Sequence, residues 1–349
     1  MKKKYDIIVI GAGSGGLGVA LGMKTFGFDV LMIEKEESNF GGECLNSGCV
    51  PSKALLHVAD LLQKSKDAES YGLRSSGDLD FKKVMNYVHQ RQGVIREHES
   101  AEYLRDKEGI AIEIGTASFS GKRSVSVNGK EFSAKKILVA TGSKPRMVAA
   151  DGIDEVKVLT NENLFLLESL PENLLVIGGG PIGIEMSQAF ARMGSKIIVL
   201  EMSDRILGKE PMEASHILQQ KLEQEGISFL LNHELVAFEN GNRAVLKDQE
   251  GQEKKVTLDA VLVGVGRSIS YDGLQLEKAG IKMRDGQPQM THTCEPKAIK
   301  ILYLLVMQPE ICCLATRLNC IPLYYSPTSL SPGRSKRNSI LIVLLVHLY

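Results

Sequence analysis

Two cysteines are the residues of this sequence whose type and spacing most directly suggest chemistry. They lie five positions apart in the segment Gly41-Gly42-Glu43-Cys44-Leu45-Asn46-Ser47-Gly48-Cys49-Val50-Pro51-Ser52-Lys53. Such a pair can close a small loop at the start of a helix, where the helix N-terminus favours the thiolate that attacks disulfides. The spacing also suits half of a zinc site or two structural thiols, although zinc usually takes a second ligand pair and none follows before residue 290. The spacing alone does not decide between these roles.

A glycine-rich turn between two apolar strands precedes the cysteines. The segment consists of a β-branched strand at 5–10 (YDIIVI), the glycines Gly11, Gly13 and Gly16, a helical stretch to Phe26, a second strand at 29–33, and Glu34. Gly11 permits a tight turn, Gly13 lets a pyrophosphate approach the backbone, and Gly16 lets helix and strand pack closely. Glu34, 23 residues after Gly11, is placed to accept hydrogen bonds from a ribose. The combination predicts a βαβ dinucleotide-binding unit.

The same pattern recurs in the second half of the chain. It consists of a strand at 174–177, the glycines Gly178, Gly180 and Gly183, a helix to Met193, a strand at 196–200, and Glu201. The spacing from Gly178 to Glu201 is again 23 residues. A carboxylate at this place holds the 2′-hydroxyl of NAD and repels the 2′-phosphate of NADP. Because Arg205 follows Glu201 and does not replace it, the second unit is predicted to bind NAD.

The cysteine segment, which lies between the two dinucleotide units, resembles a segment of a known protein family. The string GGECLNSGCVPSK resembles the redox-active segment of the class I pyridine nucleotide–disulfide oxidoreductases, which include dihydrolipoamide dehydrogenase, glutathione reductase and mercuric reductase. The resemblance runs from Tyr5 to about Gln289. It includes residues 137–142 (ILVATG), similar to the flavin-domain motif, and residues 263–267 (VGVGR), similar to the strand that closes the NAD domain. It implies an α/β fold of two Rossmann-like modules, with the NAD module inserted in the FAD domain.

The resemblance also implies a role for each motif residue. Cys44 would be the interchange thiol and Cys49 the charge-transfer thiol, while Lys53 would lie near flavin N5 and pair with Glu185. Hydride would pass from NADH to FAD and on to the Cys44–Cys49 disulfide, or in reverse. The cofactor-binding residues so implied, with FAD and NAD as cofactors and no metal, are Gly11, Gly13, Gly16, Glu34, Lys53, Thr141, Gly142, Gly178, Gly180, Gly183, Glu201 and Gly266.

The predicted domains follow these assignments. Residues 1–150 form the FAD-binding domain with the redox pair, 151–270 the NAD-binding domain, 271–289 the start of the returning FAD segment, and 290–349 a non-native tail. The implied function is NAD(H)-linked disulfide reduction, most similar to dihydrolipoamide dehydrogenase. A mercuric-reductase-like flavoenzyme is one alternative, and a non-catalytic truncated fragment is another. The expected substrate is a small-molecule or lipoyl disulfide; the family forms homodimers, but the interface domain is missing here, so full turnover is expected to fail.

Composition limits the other partners. The chain has 42 basic and 42 acidic residues, so no net charge attracts nucleic acid or an anionic membrane surface. No stretch reaches the roughly 18 apolar residues of a membrane span. The N-terminus also lacks the apolar core of a signal peptide. A cytoplasmic location is therefore expected.

The family pattern ends at Met290. All but one of the 34 glycines precede it, and no acidic residue follows Glu310. The family's second FAD motif, T-x(n)-I-[YF]-A-x-G-D, and the interface domain with its His–Glu pair are absent.

Back-translation from the third base of each codon allows F-I-L-A-G-D-A-T around residues 301–309, so we hypothesise a one-base deletion near codon 289 or 290. Mercuric reductases carry a vicinal cysteine pair near the C-terminus, but Cys312-Cys313 of this chain would then be out of frame. Residues 340–349 would be an aggregation-prone segment. A gene sequence without these motifs in any frame would refute the hypothesis.

Overall fold

A computed structural model describes residues 3–73, 78–284, 286–289 and 302–304 of the chain. The hypothesis of a non-native tail from Met290 falls outside the described residues, apart from the short strand at Leu302–Leu304. The same holds for Cys312, Cys313 and the apolar segment at 340–349.

The regular elements follow one another in mixed α/β order. The α-helices are α1 (Ser14–Thr25), α2 (Gly42–Asn46), α3 (Cys49–Asp67), α4 (Phe81–Glu99), α5 (Ala101–Asp106), α6 (Pro181–Met193) and α7 (Met212–Gln224). The strands are β1 (Lys3–Ile10), β2 (Val30–Glu34), β3 (Ala111–Ile114), β4 (Ser118–Gly121), β5 (Ser124–Val127), β6 (Lys130–Val139), β7 (Ser143–Pro145), β8 (Val158–Leu159), β9 (Asn173–Ile177), β10 (Lys196–Glu201), β11 (Ser228–Leu231), β12 (His233–Glu239), β13 (Arg243–Asp248), β14 (Glu253–Thr257), β15 (Ala260–Val263), β16 (Arg267–Ile269), β17 (Met283–Arg284), β18 (Gln287–Pro288) and β19 (Leu302–Leu304).

The first of two compact units contains the first glycine loop. Its described residues fall in the ranges Met1–Ser38, Leu104–Gly142 and Tyr271–Tyr349. Its sheet has the order β3-β2-β1-β6-β5-β4, with β19 beside β6. β1 pairs in parallel with β2 and with β6, whereas β4, β5 and β6 pair antiparallel. Ile8 and Val30 are fully buried, as expected for parallel strands that are covered on both faces.

The second unit contains the cysteine segment and the second glycine loop. It comprises Asn39–Tyr103 and Ser143–Ser270. Its main sheet is parallel, in the order β11-β10-β9-β15-β8, and a separate antiparallel sheet has the order β12-β13-β14. The buried face of α6 packs on this sheet and on the helices α3 and α4, where Phe190 contacts Phe81. The unit therefore joins the redox helices and the second βαβ motif through one apolar core.

The α/β class with parallel sheets is confirmed, and so are both predicted βαβ units. The first predicted strand begins two residues earlier, at Lys3, and the predicted helix to Met193 ends at that residue. The predicted domain boundaries at 150, 270 and 289 follow nucleotide binding and stay predictions. Over the part of the chain that the structure describes, no helix has both the length and the hydropathy needed to cross a membrane.

Candidate functional site

The two cysteines lie on consecutive helices of the second unit. Cys44 is in α2 and Cys49 is the first residue of α3, and both are half-buried thiols. A Cβ at Gly48 would lie 2.9 Å from the carbonyl oxygen of Glu43 and 3.4 Å from the Cα of Cys44. The chain before Cys49 therefore folds back closely on the turn that carries Cys44. Cys49 also occupies the N-terminal end of a 19-residue helix, where the helix dipole attracts negative charge.

Side chains of α4 hold the turn that carries Cys44. The buried Gln92 donates to the carbonyl oxygens of Leu45 and Asn46, each at 2.9 Å. Arg96 donates to the side-chain oxygen of Asn46 at 3.0 Å, and the Asn46 amide donates to the carbonyl oxygen of Phe40 at 3.0 Å. The two Gln92 bonds go to carbonyl groups in the last turn of a very short helix, where no further helical turn supplies N–H partners.

Lys53 and Glu185 form a salt bridge between α3 and α6. The Lys53 ammonium lies 2.6 Å from both carboxylate oxygens of Glu185, and the two side chains are 45% and 40% exposed. Farther along the same helices, Lys66 donates to the carbonyl oxygen of Arg192 at 2.9 Å. Two contacts at separate points fix the rotation of α3 against α6. The structure thus brings Lys53 and Glu185 together one turn after Cys49, while their catalytic roles stay predictions.

The first glycine loop joins β1 to α1 and is closed by Glu34. Gly11 has a φ of +105°, and a Cβ there would collide with the carbonyl oxygen of Ala140. A Cβ at Gly16 would collide with the carbonyl oxygen of Gly11. The buried Glu34 accepts the N–H of Ala12 at 2.7 Å. Neither position has room for a side chain, so these glycines let the backbone segments approach closely, and the carboxylate of Glu34 holds the loop through Ala12.

The second glycine loop repeats this geometry between β9 and α6. A Cβ at Gly178 would lie 2.6 Å from the carbonyl oxygen of Gly264, and one at Gly183 would collide with the carbonyl oxygen of Gly178. Glu201 accepts the N–H of Gly179 at 2.7 Å. Glu201 thus holds the second loop as Glu34 holds the first, by accepting a backbone N–H next to Gly178, where the chain turns.

The remaining predicted cofactor residues lie at the ends of these elements. Gly13 and Gly180 are the N-caps of α1 and α6, and among the described residues no side chain caps either helix. Helix N-termini of this kind bind anions through their first N–H groups. Thr141 and Gly142 follow β6 in the first unit, and Gly266 separates β15 from β16 in the second.

Sequence reasoning missed most of the residues that hold the cysteine turn. These are Glu43, Asn46, Gln92, Arg96, Asn161 and Arg267. Glu43, Asn46 and Arg267 belong to the motif strings quoted above, so the sequence could have indicated that they lie near the cysteines. Gln92 and Asn161 are ordinary polar residues in the sequence, and only the tertiary structure shows their contacts. Within the described ranges, no group of three His, Cys, Asp or Glu side chains could hold a metal ion.

Comparisons with known proteins agree with this arrangement. The family model for pyridine nucleotide-disulphide oxidoreductases matches residues 5–305. The chain is 37% identical over 289 residues to a dihydrolipoyl dehydrogenase of Thermus scotoductus, which covers 80% of this chain and 61% of that protein. It is 32% identical over 283 residues to a mercuric reductase of Lysinibacillus sphaericus, which covers 80% of this chain and 51% of that protein.

A solved structure has the same fold. The HOCl-induced flavoprotein disulfide reductase RclA from Escherichia coli superimposes with a TM-score of 0.74 at 26% identity, over 86% of this chain and 65% of that chain. The chain thus spans less than two thirds of the length of these proteins. The family model covers residues 5–305, which is most of the sequence and includes both glycine loops and the cysteine segment. The chain therefore belongs to the pyridine nucleotide-disulphide oxidoreductase family.

Proposed function

We propose that the chain transfers electrons between NADH, FAD and the Cys44–Cys49 pair, as an NAD-linked disulfide oxidoreductase of the dihydrolipoyl dehydrogenase type. One observation carries the proposal. One thiol, Cys44, lies just before α3 and the other, Cys49, begins it, and Lys53, one turn later, contacts Glu185 at 2.6 Å. The 37% identity to the Thermus dihydrolipoyl dehydrogenase supports the type of reaction. The proposal concerns the half-reaction within this chain, because the chain spans 61% of that relative.

The cysteines would act in sequence when a disulfide is reduced. The Cys44 thiolate attacks one sulfur of a small-molecule or lipoyl disulfide, which forms a mixed disulfide and releases one substrate thiol. The Cys49 thiolate then attacks the Cys44 sulfur, which releases the second thiol and leaves the Cys44–Cys49 disulfide. Two electrons have then passed from the pair to the substrate. The Lys53 ammonium adds positive charge near the Cys49 thiolate, and Glu185 keeps that ammonium in place.

We assign FAD to the first glycine loop, with Gly11, Gly13, Gly16, Glu34, Thr141 and Gly142 as its binding residues. Members of this family bind FAD and NAD(P). When bound, FAD supplies the hydride-transfer chemistry between nicotinamide and thiols. The tight turn at Gly11, which has a φ of +105°, and the uncapped start of α1 fit a pyrophosphate, and the carboxylate of Glu34 fits a ribose. In this proposal the NAD module interrupts the FAD domain.

We assign NAD to the second glycine loop, where Glu201 would select the nucleotide. Its carboxylate keeps lone pairs for a ribose hydroxyl after accepting the N–H groups of Gly179 and Ser203. The same charge would repel a 2′-phosphate. Arg205 donates to the carbonyl oxygen of Gly208 at 2.8 Å and so is held within its own loop. This contact favours NAD over NADP.

A mercuric-reductase-like activity is the second candidate, and the 32% identity to the Lysinibacillus protein supports it. The two activities differ in their electron acceptor. Lipoamide-dependent oxidation of NADH would favour the first, and mercuric-ion-dependent oxidation would favour the second. Neither acceptor is required for the half-reaction proposed here.

The colour of the purified full-length chain tests the proposal. The protein incubated with FAD and passed through a desalting column should remain yellow, and the colour should bleach when NADH is added without oxygen. A variant with Gly178→Ala should stay yellow and bleach much more slowly, because only the second loop is obstructed. A colourless wild-type protein would support the alternative of a non-catalytic fragment and contradict the proposal.

A further inference from the structure

Arg267 forms a polar cluster with residues next to Cys44. Its Nε donates to the hydroxyl oxygen of Ser143 at 2.8 Å, and its Nη1 donates to the amide oxygen of Asn161 at 2.9 Å. Its Nη2 lies 2.7 Å from Oε2 of Glu43 and also donates to the carbonyl oxygen of Ser143 at 2.9 Å. Four contacts fix the plane of the guanidinium. Glu43, Ser143, Asn161 and Arg267 are called the Arg267 cluster below.

Asn161 connects the cluster to both sides of the Cys44 turn. Its amide nitrogen donates to Oε1 of Glu43 at 3.1 Å and to the carbonyl oxygen of Ser47 at 3.3 Å. Glu43 directly precedes Cys44 in α2, and Ser47 is the C-cap that follows that helix. Asn161 is buried, so its hydrogen bonds are protected from exchange with water. The cluster thus holds the turn before and after the thiol.

The cluster also places two opposite charges at the residue that precedes Cys44. The pKa of Glu43 is raised above its ordinary value, chiefly by burial; Arg267 offsets part of this rise and the nearby Glu162 adds to it. The Glu43 and Arg267 side chains are 39% and 21% exposed, so water only partly screens their charges. A carboxylate next to Cys44 disfavours a thiolate there, whereas the guanidinium that binds this carboxylate favours one. The two charges therefore act on Cys44 in opposite directions.

We propose that Glu43 and Arg267 are positioning residues that set the thiolate population of Cys44 and, through it, how easily the Cys44–Cys49 disulfide is reduced. The inference rests on the proposed function, since it takes Cys44 and Cys49 as the redox couple. A stabilised thiolate makes a disulfide more oxidising, because it lowers the free energy of the reduced form. Glu43 would make this couple more reducing and Arg267 would make it more oxidising.

Equilibration of the full-length chain with glutathione measures this directly. In the reaction two glutathione thiols are oxidised to one glutathione disulfide, while the Cys44–Cys49 bond is reduced to two thiols. Trypsin cleavage after Lys35 and Lys53 gives the peptide 36–53, which contains both cysteines and no other. Alkylation and mass spectrometry of this peptide therefore give the reduced fraction at each glutathione ratio. Fragmentation of the peptide assigns each alkyl group to Cys44 or Cys49, so the rate of alkylation at limiting reagent gives the reactivity of Cys44.

Charge-changing variants should shift both quantities with opposite signs. Arg267→Gln should lower the reduction equilibrium constant and slow the alkylation of Cys44, each by about threefold or more, as expected when a partly screened unit charge is lost. Glu43→Gln should raise both by a similar factor. Arg267→Lys, which keeps the charge, should lie close to wild type, and the double variant Glu43→Gln/Arg267→Gln should return towards wild type. The control Lys255→Gln removes the exposed Lys255–Glu239 ion pair and should change neither quantity.

The opposite signs separate this inference from a general loss of structure. Shifts in the same direction for Glu43→Gln and Arg267→Gln, or unchanged constants in both, would overturn it while leaving the proposed function intact. If Arg267→Gln fails to fold, Glu43→Gln, which keeps the size of the side chain, still decides the sign. A wild-type chain that forms no glutathione-reducible disulfide would overturn the proposed function and this inference with it.

Discussion

At the residue scale, one acid ends the second strand of each βαβ unit, and each acid has one structural role and one proposed role in nucleotide binding. Glu34 accepts the N–H of Ala12 at 2.7 Å, and Glu201 accepts the N–H of Gly179 at the same distance. Each carboxylate thus closes its glycine loop and keeps a negative charge next to it. Because hydrogen bonds to a carboxylate need only part of its lone pairs, a ribose hydroxyl can bind as well. The same residue can therefore stabilise the loop and select the nucleotide.

The second role predicts the effect of Glu201→Gln. The substitution keeps an acceptor oxygen but removes the charge that repels a 2′-phosphate, so the preference for NAD⁺ over NADP⁺ should fall about tenfold, or about 1.4 kcal/mol. Calorimetric titration with each nucleotide measures the ratio of the two affinities. Glu34→Gln makes the same change in the first loop and should leave the ratio unaltered. An unaltered ratio in Glu201→Gln would contradict the assignment of this loop.

At the scale of elements, helix α1 can approach β1 only because Gly16 has no side chain. A Cβ at this position would collide with the carbonyl oxygen of Gly11, whereas a Cβ at Gly22 in the same helix would meet no atom within 4 Å. Gly16→Ala should therefore shift the helix, destabilise the protein and abolish FAD retention. Gly22→Ala should retain FAD and raise the free energy of unfolding by about 0.5–1 kcal/mol, since alanine favours a helix. Urea denaturation and flavin absorbance after desalting measure both effects, and equal behaviour of the two variants would refute the steric argument.

Helices α6 and α7 are joined by a buried ion pair. Arg192 donates to both carboxylate oxygens of Glu225, at 2.8 and 3.0 Å, and Gln188 donates to the same carboxylate. Only 5% of the Glu225 side chain is exposed. Burial pushes the pKa of Glu225 upward, but the hydrogen bonds from Arg192 and Gln188 outweigh burial and hold the pKa below 4.5. The carboxylate is therefore more stable in the folded chain than in the unfolded chain.

This pair predicts how Glu225→Gln responds to pH. A lowered pKa contributes stability that is fully present above the unfolded value near 4.5 and is lost as the pH falls through the folded value. The wild type should be more stable than Glu225→Gln by about 2 kcal/mol at pH 7, a value reduced from that of a fully buried pair. The difference should shrink as the pH falls below about 4.5. Urea denaturation of both proteins at pH 7 and below pH 4.5 tests this. A stability difference between wild type and Glu225→Gln that grows on acidification would contradict the assignment.

At the scale of the whole molecule, the sequence predicted the parts whose chemistry is local. Gly11, Gly178 and their partner acids could be identified because a glycine loop, its helix and its acid lie within a short segment. The cysteine segment could be identified for the same reason. The contacts that hold it could not, because Asn161 reaches Glu43 across 118 positions. Such contacts depend on tertiary packing and leave no periodic pattern.

The grouping of the chain into compact units was also beyond local reasoning. The predicted domains placed the redox segment in the domain of the first glycine loop, since FAD binding suggested that division. By contacts, the segment from Asn39 to Tyr103 groups with the second unit. The apolar core that α3 and α4 share with α6 is the physical reason. The compact units and the predicted cofactor-binding domains thus divide this chain differently.

The central claim is that Cys44 and Cys49 accept electrons from NADH within this chain, and one titration tests it most directly. The oxidised, FAD-loaded protein is titrated with NADH without oxygen, and the peptide 36–53 is then alkylated and weighed. We predict that two equivalents of NADH per chain bleach the flavin and give this peptide two alkyl groups, because two electrons reduce the disulfide and two remain on the flavin, whereas Glu185→Gln, which removes the charge that holds Lys53, slows the gain. A flavin that bleaches while the Cys44–Cys49 disulfide stays intact would contradict the account.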